Sequence, residues 1–216
     1  FDFMGTNGVT AYFGLIEVGS MKAGDTVVIS AAAGSVGQIA GQIAKLSGCR
    51  VIAITSSGKK LAWCQKIGYD DGINYKTEPN LVDAITRVCP NGVDLYFDNT
   101  AGPIHDAVMQ NLATFARIVV CGTVSLADRF DKPDIGERFL RRILVARARV
   151  QGFIVDDYQN RHQKAWKCLA DWYQRGLLNC EYDIVQDIHS MPSAFLRLLN
   201  SQNLGKQLVQ VSTPSV

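Results

Sequence analysis

Short apolar runs alternate with stretches of helical periodicity along almost the whole chain. The runs rich in β-branched residues predict strands over 26–30, 50–55, 72–75, 93–98, 117–121 and 150–154. Between them, apolar positions recurring at three and four residues predict helices over 36–46, 58–67, 81–88, 103–112 and 136–145, and a longer one follows over 157–175. Strands that are apolar on both faces and separated by helices imply a doubly wound α/β fold, a parallel sheet covered by helices on both sides. The end of the chain breaks this rhythm. A strand over 182–186, a helix over 191–199, a turn at Asn203-Leu204-Gly205 and a strand over 207–211 read as part of a different sheet. No internal repeat or polar linker is visible.

The most informative stretch is TVVISAAAGSVG, residues 26–37, where a strand runs into a glycine-bearing turn and then a helix. In the dinucleotide fingerprint G-x-G-x-x-G, the first glycine makes the tight turn. The second lets backbone approach a pyrophosphate, and the third lets helix and strand pack closely. Ala32, Gly34 and Gly37 hold those places, so the first position departs from glycine. The amides that open such a helix carry partial positive charge and suit a diphosphate. A tight turn without a ligand is the alternative reading of the same residues.

Dinucleotide sites distinguish their two cofactors about 20 residues further on, where a carboxylate accepts from the adenine ribose hydroxyls. Here the chain reads VIAITSSGKK over 51–60, with no carboxylate and with Lys59 and Lys60 following. Hydroxyl donors and ammonium groups attract a 2′-phosphate, so this chemistry favours NADP(H) over NAD(H). As ordinary solvated residues, two lysines in the first turn of a helix are slightly misplaced against its dipole.

Composition adds boundaries. With 216 residues, 47% hydrophobic, 19% charged and a net charge of +2, the chain reads as an ordinary globular protein with no electrostatic signature of nucleic-acid or anionic-membrane partners. Its longest apolar stretches fall well short of the roughly 20 residues of a spanning helix. No targeting segment is visible at the amino terminus. The six cysteines (49, 64, 89, 121, 168 and 180) include no C-x-x-C pair and read as core thiols in a reducing, cytoplasmic setting, with no metal site expected. His105, His162 and His189 read as surface or satisfied residues, and Asp25 and Asn91-Gly92 as turn formers.

Eight further segments carry a resemblance: GVTAYFG from Gly8, AAAGSVG from Ala31, IGYD from Ile67, NYKT from Asn74, YFDN ending at Asn99, ARIVVCG from Ala116, VQGF from Val150 and NLGK from Asn203. In this order and spacing they resemble the zinc-independent medium-chain dehydrogenases/reductases, in the branch of prostaglandin reductases, alkenal double-bond reductases and curcumin reductases. The resemblance implies that Gly34, Ser35, Val36 and Gly37 hold the pyrophosphate and that Lys60 and Tyr75 clasp the 2′-phosphate. Asn99 would lie near the ribose and nicotinamide. Cys121, Gly122, Thr123, Val124 and Ser125, with Phe153, Ile154 and Val155, would line the nicotinamide, and Asn203 would close over the cofactor.

The implied reaction is hydride transfer from NADPH to the β-carbon of an α,β-unsaturated ketone or aldehyde. No catalytic residue is assigned, because Val145 stands where some relatives are thought to use a tyrosine. The resemblance also implies a GroES-like barrel ahead of Gly8. Residues 1–190 would then be the cofactor domain and 191–216 a segment that rejoins the barrel, while Phe1-Asp2-Phe3-Met4 departs from the family pattern. A quinone oxidoreductase and a non-catalytic dinucleotide-binding module are the alternatives. An enone substrate and a homodimer formed along 147–155 are the expected partners.

Overall fold

A computed structural model describes residues 3–128 and 131–212, so Phe1, Asp2, Arg129, Phe130 and the last four residues lie outside the described part. Six strands form one parallel sheet: β1 (Thr26–Ser30), β2 (Arg50–Thr55), β3 (Asp71–Asn74), β4 (Val93–Asp98), β5 (Leu112–Val120) and β6 (Arg149–Gly152). Their spatial order is β3-β2-β1-β4-β5-β6, so the chain winds outward from β1 in one direction and then from β4 in the other.

The period of two along the inner strands divides the core. Val27 and Ile29 of β1, Val51 and Ala53 of β2, and Leu95 and Phe97 of β4 face one apolar layer. Val28, Ile52, Ile54 and Tyr96 face the other. Helices α2 (Ser35–Leu46), α3 (Gly58–Lys66), α4 (Leu81–Val88), α5 (Gly102–Met109) and α6 (Leu140–Ala146) connect the strands. Both faces of the inner strands β1, β2 and β4 are thereby removed from water, while β6 at the edge stays exposed.

Several boundaries differ from the sequence reading. The chain opens with an unanticipated helix, α1 (Thr6–Phe13), continued by a π-helical turn at Gly14–Val18. Gly14 lies so near the core that a Cβ there would sit 2.5 Å from the Phe97 ring. Strand β5 starts at Leu112 rather than at residue 117. Its register against β4 slips between Val93 and Leu95, and Phe115 in the slipped stretch has a φ of +63°. Helix α5 accordingly stops at Met109. Helix α6 begins only after Phe139, whose ring packs against the second core layer, and glycine at 136 adds no helix propensity before it. Strand β6 ends at Gly152 because its partner β5 ends at Val120. The long helix divides into a 3₁₀ segment, Val155–Arg161, and α7 (His162–Gln174).

Asp25 is more than a turn former: it is buried, accepts from the Lys22 amide at 2.8 Å and pairs with Arg117 of β5.

The last strands, β7 (Tyr182–Gln186) and β8 (Lys206–Gln210), pair in parallel as a separate two-stranded sheet, with α8 (Met191–Leu199) between them in sequence. Two buried glutamines of α2 fasten this unit to the main body. Gln42 Nε2 donates to the Asn179 carbonyl at 2.8 Å while its Oε1 accepts from the Asn179 amide at 2.7 Å. Gln38 Oε1 likewise accepts from the Glu181 amide at 2.8 Å, and its Nε2 donates to the Glu181 carbonyl at 3.2 Å. A carboxamide sets an N–H donor beside an acceptor oxygen, so each side chain satisfies a backbone unit as a neighbouring strand would. Gln42→Met keeps the volume but leaves the Asn179 amide and carbonyl unpaired. It is expected to cost about 2 kcal/mol, read by chemical denaturation, and to increase proteolytic cleavage between residues 176 and 181.

Candidate functional site

Strands β1 and β4 lie side by side, and the connections leaving them run to opposite ends of the sheet. Such a reversal opens a crevice beyond the carboxyl ends of the two strands. A cavity of about 420 Å³ occupies that position. Its walls come from the turn after β1 (Ala31, Ala33 and 34–37), the end of β2 (Thr55, Ser56, Lys60), Tyr75 after β3, and Asn99 and Thr100 after β4. Asn7, Val124 and a set of residues from the carboxy-terminal unit complete them: Leu198, Ser201, Asn203, Gly205, Lys206 and Gln207.

The turn after β1 is held from both sides. The Gly34 amide donates to the Ala31 carbonyl at 2.8 Å, and the Gly205 amide donates to the Ala33 carbonyl at 2.8 Å. The left-handed residue that makes the turn tight is Ala31, with φ of +47°, one position before Ala32, where the fingerprint places its first glycine. Gly37 obeys the fingerprint: a Cβ there would sit 2.4 Å from the Ala31 carbonyl oxygen and 2.7 Å from the Ala32 Cα. Helix α2 therefore enters directly against the strand end. Its N-terminus has no side-chain cap and faces the cavity, leaving its first amides for a ligand. Tyr69, buried and kept neutral because burial pushes its hydroxyl well above the usual range, donates to the Gly37 carbonyl at 2.7 Å.

At the other end of the cavity, Ser57 caps α3 by accepting from the Lys60 amide at 3.3 Å. The cap turns Lys60 inward while Lys59 stays on the exposed side. Lys60 Nζ donates to the Ser201 carbonyl at 2.8 Å. Burial, and then the like charge of Lys76, hold its ammonium below the usual lysine range. The Tyr75 amide donates to the Thr55 carbonyl at 3.0 Å, which sets Tyr75 beside the end of β2. Among the described residues no aspartate or glutamate lines this cavity, so anionic groups entering it meet cations, hydroxyls and amides.

The floor is organised by Asp98, whose side chain is 1% exposed. Its Oδ1 accepts from the Tyr96 hydroxyl at 2.9 Å, from the amides of Thr100 and Ala101 at 2.9 Å each, and from Ser30 Oγ at 3.2 Å. His105 Nδ1 donates to Oδ2 at 2.8 Å. Burial alone would raise this carboxyl; the donors, His105 first, outweigh it and hold the group below the usual carboxylate range. Ser30 Oγ in turn accepts from the Asn99 amide at 2.9 Å, and Asn99 Nδ2 donates to the Ser30 carbonyl at 2.8 Å. One Asn99 Nδ2 hydrogen is thereby committed to β1, and the side chain keeps an acceptor oxygen at the cavity wall.

The structure thus brings together Gly34, Ser35, Val36, Gly37, Lys60, Tyr75, Asn99, Val124 and Asn203. Cys121, Gly122, Thr123 and Ser125 stand at the carboxyl end of β5, outside the cavity wall. The amides of Cys121 and Gly122 donate to the Asp98 carbonyl at 2.8 and 3.0 Å, and Ser125 Oγ donates to the Thr100 carbonyl at 2.5 Å. Phe153, Ile154 and Val155 follow β6 and also lie outside it. Phe153 and Val155 pack on the first core layer, and Ile154 is exposed. Wall residues that the sequence reading passed over include Asn7, Leu198, Ser201, Lys206 and Gln207. The NLGK segment marked the neighbourhood of Lys206, but nothing local in sequence marks Ser201.

The zinc-binding dehydrogenase family matches residues 35–175. The chain is 45% identical over 98% of its length to the NADP-dependent oxidoreductase YfmJ of Bacillus subtilis and 39% identical over 96% to prostaglandin reductase 1 of Mus musculus. It is 39% identical over 97% to the (+)-pulegone reductase of Mentha piperita. It spans 63% of the length of the first two relatives and 61% of the third. The crystal structure of CurA from Vibrio vulnificus in complex with NADPH superposes with a TM-score of 0.92 at 38% identity, over 98% of this chain and 64% of that one. Although zinc figures in the family description, the described residues contain no group of three or more His, Cys, Asp or Glu able to hold a metal ion. They do not fit a zinc site. No described helix is long and apolar enough to cross a membrane.

Asp98 sets the acid limit of this site. Its folded-state pKa lies below the unfolded value, so its contribution is complete above about pH 4 and is lost as pH falls through the folded value. Asp98→Asn turns one acceptor into a donor among buried donors. It is expected to cost about 3 kcal/mol at pH 7 and to flatten the decline in melting temperature below about pH 4, both read by calorimetry.

Proposed function

The chain belongs to the zinc-binding dehydrogenase family, and on that premise we propose that it is the NADP(H)-binding part of a reductase acting on the carbon–carbon double bond of α,β-unsaturated ketones and aldehydes. The observation that carries this reading is the groove at the β1/β4 reversal, with an uncapped helix at one end, Lys60 and Tyr75 at the other, and no carboxylate on its described walls. Gly34, Ser35, Val36 and Gly37 hold the pyrophosphate, the amides of Ser35, Val36 and Gly37 that open α2 pointing at it while Gly34, at the N-cap, lets it approach the backbone. Lys60 and Tyr75 receive the 2′-phosphate, an ammonium and a phenol being donors suited to a dianion. The Asn99 oxygen accepts from a ribose hydroxyl, and Asn203 covers the cofactor from the tail.

Cys121, Gly122, Thr123, Val124 and Ser125 after β5, and Phe153, Ile154 and Val155 after β6, stand at the carboxyl ends of successive strands. Of these Val124 lines the cavity, and the others continue the line of strand ends beyond it, on the side assigned to the nicotinamide. When bound, the reduced cofactor supplies the hydride that adds to the β-carbon, and the resulting enolate takes its proton at the α-carbon. Val145 has no proton to give to it. The names of the relatives, a prostaglandin reductase, a 2-alkenal reductase and a pulegone reductase, support this substrate class.

Residues 1–190 act as the cofactor domain and 191–216 as the segment that returns to a GroES-like barrel, with β7 (Tyr182–Gln186) already paired to β8 in the separate sheet. The six free thiols fit a reducing, cytoplasmic setting.

NADPH is expected to bind at least tenfold more tightly than NADH, and Lys60→Met to remove most of that preference, as loss of a charge-assisted hydrogen bond implies. Equal affinities in a calorimetric titration would refute the cofactor assignment. With the full-length protein, NADPH oxidation should follow addition of an alkenal. Turnover of quinones with none of enones would refute the substrate class.

We further propose that two copies associate along β6, an outer strand exposed throughout its length and flanked by exposed Leu140, Leu144 and Ile154. Sedimentation is expected to report a dimer that Val150→Lys, at an exposed edge position, converts to monomer.

A further inference from the structure

Ser201 has a φ of +54°, in the left-handed region that a side chain with a Cβ adopts at a cost. Its carbonyl accepts from Lys60 Nζ at 2.8 Å and from Ser56 Oγ at 3.3 Å, across 141 and 145 residues of chain. Around it the end of α8 is wound tightly. The Asn200 amide donates to the Leu196 carbonyl at 3.0 Å, Ser201 to Leu198 at 3.1 Å and Gln202 to Arg197 at 2.8 Å. Downstream, Asn203 Nδ2 donates to the Gly205 carbonyl at 2.8 Å, and the Gly205 amide reaches the Ala33 carbonyl. The stretch over 198–203 is thus a strap along one wall of the groove. It is fixed by backbone at Gly205 and held at Ser201 by two side chains that, on the NADP(H) reading of the groove, lie where a 2′-phosphate would be received.

Resting on that reading, we propose that the Ser201 carbonyl stands in for the 2′-phosphate at Lys60, so that a phosphorylated dinucleotide takes the lysine away from the strap while an unphosphorylated one leaves it clasped. A phosphate offers an ammonium charged acceptors, and so adds a Coulomb attraction that a neutral carbonyl cannot supply. A ribose 2′-hydroxyl brings no charge and donates as readily as it accepts, so it can pair with the carbonyl itself. Lys60 is drawn to the stronger partner because it is already short of solvent and sits near Lys76. The hold on the strap therefore depends on which dinucleotide is present. The groove selects between the two by the strength of the phosphate–ammonium bond less that of the carbonyl–ammonium bond it replaces.

The test is hydrogen exchange, read by mass spectrometry over residues 196–204, with affinities of the same samples measured by calorimetry. The protein is compared empty, saturated with adenosine 5′-monophosphate, and saturated with adenosine 2′,5′-bisphosphate. Exchange of the 200–202 amides should be about tenfold faster with the bisphosphate than with the monophosphate. Lys60→Met should reach the same rate when empty and respond to neither nucleotide further, and Lys60→Arg should restore the slow rate. Equal exchange with the two nucleotides, or a Lys60→Met protein as slow as the parent, would overturn the proposal even if the bisphosphate binds more tightly. A bisphosphate that binds no more tightly than the monophosphate would instead overturn the cofactor reading, and the strap with it.

Discussion

One buried carboxylate sets the geometry of the whole crevice. Asp98 ends the strand at which the sheet reverses direction, and its charge is tolerable only because hydroxyls, amides and an imidazole converge on it. Each donor fixes something different. Ser30 ties the end of β1 to the end of β4, and the amides of Thr100 and Ala101 set the turn into α5, where Ala101 holds a φ of +59°. The backbone carbonyl of the same residue takes the amides of Cys121 and Gly122, so the exit from β5 is measured from it as well. Three strand ends are therefore aligned by one residue whose side chain never reaches the groove.

Above that floor, the groove is assembled from parts far apart in sequence and sorted by charge. The uncapped end of α2 contributes aligned amides, and the capped end of α3 contributes a partly desolvated ammonium. The strands alone would leave the crevice open on one side. The carboxy-terminal unit closes that side through backbone hydrogen bonding at Gly205 and through the carbonyl of Ser201. Affinity in such a site comes from fixed dipoles and charges that need no rearrangement to meet an anion, except where the protein's own carbonyl already occupies one of them.

Much of this was legible in the sequence, for physical reasons. Inner strands buried on both faces are continuous apolar runs, so β1, β2 and β4 were read with their observed bounds. The glycine at 37 marked a contact that admits no side chain, and the missing acid after β2 marked a cationic end. What was missed follows from interactions without a local signature. Helix α1 is buried over Gly8–Phe13 and so lacks the polar face by which amphipathic helices are recognised. The slip in β5 turns on Phe115 adopting a backbone conformation that its residue type does not announce. Ser201 is an unremarkable serine until Lys60 is brought to its carbonyl from the other end of the fold.

The pairing of Gln38 and Gln42 with Asn179 and Glu181 bears on the order in which the molecule assembles. These contacts join residues separated by 137 and 143 positions, so the helix that follows the glycine-bearing turn waits for its outer brace until residues 179–181 have emerged. Long-range closures of this kind are slow and late. The inner strands of a nascent molecule can pair early, yet the groove becomes whole only once residues 198–207 have followed.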